Sequence, residues 1–103
     1  MTHVLRAHGL FPTAIKAVKE MQQGLCIKVQ TAGGDDAMEA FEQLRAVDEL
    51  KNDLDFGCCL DAEQRRLLTA ACTLHKNAIN LFWADAEIQK IIGNLEKIIK
   101  LIN

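Results

Sequence analysis

A chain of 103 residues, half of them apolar and a quarter charged, has room for a single domain with a modest core and is not disordered in composition. It contains no serine, so serine-nucleophile chemistry is excluded, and its formal net charge of −2 argues against a nucleic-acid partner. Thr2–Leu10 lacks the continuous apolar core of a secretory signal, and charges interrupt every long apolar window. The expectation is a cytoplasmic protein with no membrane partner.

The charge is unevenly placed. Residues 1–34 carry four cations against one acid (net +3), residues 35–66 four cations against ten acids (net −6), and residues 67–103 come to +1. Apart from Phe11, Phe41, Phe56, Phe82 and Trp83 there are no aromatics, so aliphatic side chains must dominate the packing.

In chain order, residues 1–10 read as an N-terminal arm or a short helix, with Gly9 and Pro12 punctuating its end. A first long helix is predicted over about 12–31, opened by Pro12 and stopped before Gly33-Gly34. Its apolar stripe runs through Phe11, Ala14, Ile15, Val18, Met21, Leu25 and Val29. Gly24 sits inside it and weakens it by roughly 1 kcal/mol relative to alanine.

A second helix is predicted over about 36–55, with Asp36 and Glu39 as a capping box and Phe56-Gly57 as its end. Its buried stripe is Phe41, Leu44, Val47, Leu50 and Leu54. Asp35, Glu39, Glu42, Glu49 and Asp53 recur at helical spacing away from that stripe and read as a solvated acidic face. A second box, Asp61 with Gln64, opens the next helix.

From Asp61 onward one apolar seam runs at steps of three and four: Leu67, Ala71, Leu74, Ala78, Leu81, Asp85, Ile88, Ile92, Leu95, Ile99 and Ile102. Leu68, His75 and Phe82 flank it on one side, Ile91 and Ile98 on the other. No glycine or proline interrupts residues 61–92, so a continuous helix over about 61–102 is expected, roughly 60 Å long. The fold class is then all-α: an antiparallel bundle of three helices with a long C-terminal helix. The alternative is a break near Asp85, with that residue as cap, giving a four-helix up-down bundle.

A straight helix would leave Ile88, Ile91, Ile92, Leu95, Ile98, Ile99 and Ile102 in water, at about 1.5–3 kcal/mol for each side chain. These seven residues are therefore the expected interface with a second copy (a homodimer) or with a partner helix.

Chemistry is poorly represented. Cys26, Cys58, Cys59 and Cys72 contain no C-x-x-C pair and no zinc-ligand spacing, so neither a metal nor another cofactor is expected. Cys26 and Cys72 read as small core residues, Cys58-Cys59 as a loop pair open to thiol-based sensing. The stretch Thr73-Leu-His-Lys-Asn-Ala78 resembles histidine phosphotransfer modules, which carry a histidine on a four-helix bundle; that resemblance implies a role for His75. It departs from them at Ala78 and Ile79, where such modules place a lysine and a small residue. The leading expectation is a non-enzymatic interaction protein acting as an adaptor, chaperone-like protein or inhibitor.

Overall fold

The computed structural model describes residues 2–103. Five α-helices follow in order: α1 (Thr2–Ala7), α2 (Phe11–Thr31), α3 (Gly34–Phe56), α4 (Ala62–Ile79) and α5 (Ala86–Ile102), with a 3₁₀ turn at Asn80–Phe82. The described residues contain no strand, and no helix among them is long and apolar enough to cross a membrane.

The N-terminal segment is not an arm. Thr2–Ala7 is helical, Leu5 and Leu10 are buried, and Gly9 (φ 69°) provides the left-handed turn that swings the chain into α2. The hydroxyl of Thr2, itself buried, donates to the carbonyl of Cys58 at 3.1 Å and ties α1 to the α3–α4 loop. The guanidinium of Arg6 lies 3.7 Å from the centroid of the Phe11 ring, holding the same corner from outside. Met1 lies outside the described residues.

Two expectations about α3 are corrected. Asp36 does not cap it: the helix begins at Gly34, its N-cap is Gly33 in extended geometry, and no side chain caps the free N–H groups. Asp35 and Asp36 fall instead within the first turn, where their charge meets the positive end of the helix dipole. Phe41 is not core; it is 52% exposed, while Ala40, Val47, Leu50 and Leu54 face inward. Gly57 (φ 76°) closes α3, its N–H reaching the Leu54 carbonyl. At Asp61 both halves of the capping box form: the carboxylate accepts from Gln64 N–H at 2.8 Å, and the Gln64 amide oxygen accepts from Asp61 N–H at 3.1 Å.

The largest correction concerns the C-terminal helix. It is not continuous over 61–102. After Ile79 the chain tightens into the 3₁₀ turn, and α5 starts afresh at Ala86 with Asp85 as its N-cap. The Asp85 carboxylate accepts from the N–H groups of Glu87 (2.8 Å) and Ile88 (3.4 Å), and the Gln89 side-chain amide donates to the Trp83 carbonyl at 2.6 Å. Such a cap stabilises a helix start by about 1 kcal/mol. The driving force is larger. Reversal carries Leu95 and Ile98 to zero exposure and Ile92 and Ile102 close to it, a gain of roughly 1.5–3 kcal/mol for each side chain. A few backbone hydrogen bonds lost over residues 80–85 cannot outweigh that.

Packing centres on α2, which lies along α3 on one side and α4 on the other and also touches α5. The α5 helix packs chiefly on α4, and Lys76 reaches Glu96 across that contact at 3.7 Å. Contact between α3 and α4 is slight; Gln64 of α4 donates to the Asp53 carboxylate near the loop that joins them. Because α5 settles on α4 rather than on α3, the outer flanks of α3 stay uncovered, which is why Phe41 faces water. The molecule measures 40 × 34 × 19 Å, so its thinnest dimension is about two helix diameters. Its radius of gyration is 14.0 Å, against roughly 12.8 Å for a closed globule of this length. The shape is a slab.

Candidate protein-interaction groove

The slab has a slot along one face. It is floored by α2 (Ala17, Met21, Gly24, Leu25) and walled by α3 (Gln43, Ala46, Val47) and α4 (Leu67, Ala70, Ala71, Leu74, Ala78), with a volume of about 690 Å³. Its lining on α4 runs from Glu63 to Ala78, about 22 Å at the helical rise. The slot exists because α3 and α4 diverge over α2 instead of meeting, and because small residues face one another where they do so. Gly24 is the extreme case. A Cβ placed there would meet nothing within 4 Å, so the residue that weakens α2 also leaves the floor open.

The ionisable groups that line it are Glu20 and Lys28 from α2 and Glu63 and His75 from α4. Glu63 pairs with Arg66 of its own helix at 2.6 Å. His75 is half-buried, and its pKa is lowered chiefly by that burial, with the Lys16 charge acting in the same direction and Glu20 opposing it. The balance of these effects favours the neutral imidazole. It stands beside apolar neighbours of the slot, the setting of a structural histidine.

The seven residues expected at an interface lie elsewhere. Ile92, Leu95, Ile98 and Ile102 are buried inside the chain, and Ile88, Ile91 and Ile99 are half-buried against α4 and its surroundings. The break at residues 80–85 folds this ridge against the chain's own core. What stays open belongs to the first half of the same seam, where Leu74 and Ala78 are exposed while Ala71 is buried. Leu67, Ala71, Leu74 and Ala78 all line the slot, and Leu74 remains 58% exposed. Beyond it, the turn into α5 leaves Leu81 (81%), Phe82 and Trp83 in solvent. The heptad spacing carried the signal for these residues too. What it lacked was any indication of which half would be covered.

The cysteines divide differently from the expectation. Cys72 is buried, and desolvation pushes its thiol up to about 12. Cys26 is not a core residue: it lies exposed beside Ile27 and Leu44 in a shallow cleft between α2 and α3, on the side of α2 away from α4. Cys58 and Cys59 are exposed in the loop. Brief treatment of the folded protein with iodoacetamide should modify Cys26, Cys58 and Cys59 and spare Cys72 until denaturant is added, as peptide mapping would show. Among the described residues no group of three or more His, Cys, Asp or Glu is placed to hold a metal ion.

No protein-family model matches the chain, and neither a curated protein nor a solved structure matches it.

Proposed function

We propose that this protein is a non-enzymatic interaction module, an open four-helix arrangement that accepts one amphipathic helix of a partner into the slot between α2, α3 and α4. The observation that carries this reading is the elongated apolar slot itself. Its length, about 22 Å, matches roughly four turns of helix, and Ala17 and Gly24 on its floor with Ala46, Ala70, Ala71 and Ala78 on its walls favour the close axial approach of 8–10 Å at which helices pack. An adaptor, a chaperone-like protein or an inhibitor would all use such a surface. An amphipathic helix in an apolar groove is a recurrent mode of peptide recognition, read through anchors at i, i+3, i+4 and i+7.

A homodimer is the second reading. It is favoured by Leu81, Phe82 and Trp83, whose exposure continues the apolar surface past the end of the slot. In that reading the dimer would form around α4 and the turn that follows it.

Substitution at Gly24 tests the first reading. Gln is a far better helix former, so Gly24→Gln should raise the stability of α2 by about 0.5–1 kcal/mol in thermal denaturation. The same side chain stands in the slot, and binding of a synthetic Leu/Ala amphipathic helix with neutral Gln flanks should weaken by about tenfold or more in fluorescence anisotropy. A variant that melts higher but binds the peptide as the parent does would place the helix site elsewhere.

A further inference from the structure

The α3 wall of the slot has a property that the apolar lining does not explain. Asp35, Glu39, Glu42, Ala46, Glu49 and Asp53 follow one another at steps of four and three, so they form a single row on the helix surface. Ala46 lines the slot. Ala46 therefore places the middle of the row beside the slot, with Glu42 and Glu49 one turn to either side; the whole row is about 27 Å long and extends past the slot's α3 lining of Gln43, Ala46 and Val47. None of the five has a cation within salt-bridge distance among the described residues, and the two cations of α3, Arg45 and Lys51, lie off the row; Lys51 is engaged with Asp55 at 3.0 Å. Only Asp53 has a side-chain donor, the Gln64 amide.

Such a row is unfavourable in the isolated protein. Glu39 with Glu42, and Glu49 with Asp53, are like-charge neighbours one turn apart, which destabilises a helix. On the opposite wall Glu63 is paired with Arg66 of its own helix. The remaining charges facing the slot are Glu20 and Lys28 of α2, with a neutral His75.

We propose, resting on the reading of the slot as a helix-binding site, that its occupant is a basic amphipathic helix from another protein, with a row of Lys or Arg recurring at steps of three and four over about three turns and lying against the α3 shoulder. Its apolar face fills the slot, and its cations pair with Glu39, Glu42 and Glu49, which steers encounter as well as register. A second copy of this chain does not supply such a helix. The free lysines reside on α2 and α5; α2 is itself the floor of the slot, and the apolar face of α5 is already buried in the core. An anionic membrane surface would be repelled by the same five carboxylates.

Two synthetic helices matched to the 18 residues of α4, with identical Leu/Ala faces, decide the matter: one carries Lys along one edge, the other Glu. In fluorescence anisotropy at low salt the Lys peptide should bind at least about tenfold tighter than the Glu peptide, and high salt should shrink that difference. The triple variant Glu39→Gln, Glu42→Gln, Glu49→Gln should bind both equally while keeping its helical circular dichroism. Equal affinity of the two peptides for the unmodified protein would overturn the basic-helix assignment and leave the slot as a helix site. Failure of both, and of the Gln-flanked peptide, would remove the slot reading as well. A dimer in light scattering that Gly24→Gln converts to monomer would identify a second copy as the occupant and so overturn the assignment.

Discussion

Ile98→Asp is expected to leave the protein unfolded at 25 °C, with loss of helical circular dichroism and of the cooperative thermal transition. Ile98 is fully buried in the core cluster shared by α2, α4 and α5, where a carboxylate would be taken out of water. Domains of this size are stable by only about 5–15 kcal/mol, so one unpaired buried charge together with a lost isoleucine is sufficient. The milder Leu95→Ala should lower stability by about 2–5 kcal/mol and leave a folded protein. Its denaturation midpoint should not change with protein concentration, because the ridge is buried within the chain. A concentration-dependent midpoint would mean that a second protomer covers it. Leu81→Ala provides the contrast: that side chain is 81% exposed, and its loss should shift stability by less than about 0.5 kcal/mol.

Leu5→Ala carries the second large effect. If residues 2–10 were a loose arm, truncating this side chain would be thermally silent. The structure buries Leu5 completely, in one cluster with Leu10, Leu54 and Leu60, where α1 closes the end of the slab next to the α3–α4 loop. The substitution should therefore cost about 2–5 kcal/mol. In differential scanning calorimetry that corresponds to a fall in melting temperature on the order of 10–30 °C. An unchanged transition would show that α1 is not part of the cooperative unit.

How much of this was readable beforehand varies along the chain. The starts and stops governed by local chemistry were visible. Asp61 and Gln64 form their reciprocal cap, Gly57 closes α3 in a left-handed conformation, and Pro12 stands in the first turn of α2. These features need only a few neighbouring residues to decide them. Asp36 misled because a capping box is equally well written one turn inside a helix; with Gly33 and Gly34 upstream, the chain could enter α3 earlier.

The candidate site was half visible. The seam from Leu67 to Ile102 announced more apolar surface than a short hairpin could cover, and the structure indeed leaves part of that seam open. Which part could not be read, since the heptad pattern of Leu67, Ala71, Leu74 and Ala78 is as regular as that of Ile88, Ile92, Leu95 and Ile99. Nor did Cys26 reveal that it faces outward; its place in the helical period lies next to Leu25 and Ile27, and burial there depends on where α3 docks. The acidic row of α3 was fully legible as a row. Its position on the shoulder of a slot was not.

The amino-acid order alone determined that this chain is helical, where three of its helices open or close, and that its net charge would be positive over residues 1–34 and negative over residues 35–66. Those properties follow from interactions reaching one helical turn or less. Tertiary structure decided the rest: that residues 80–85 reverse the chain, that α5 lies on α4 and not on α3, and that the slot consequently opens between α3 and α4. The reason is energetic and non-local. Burying four aliphatic side chains of α5 against the chain's own core outweighs an unbroken backbone ladder, and that gain is set by partners distant in sequence.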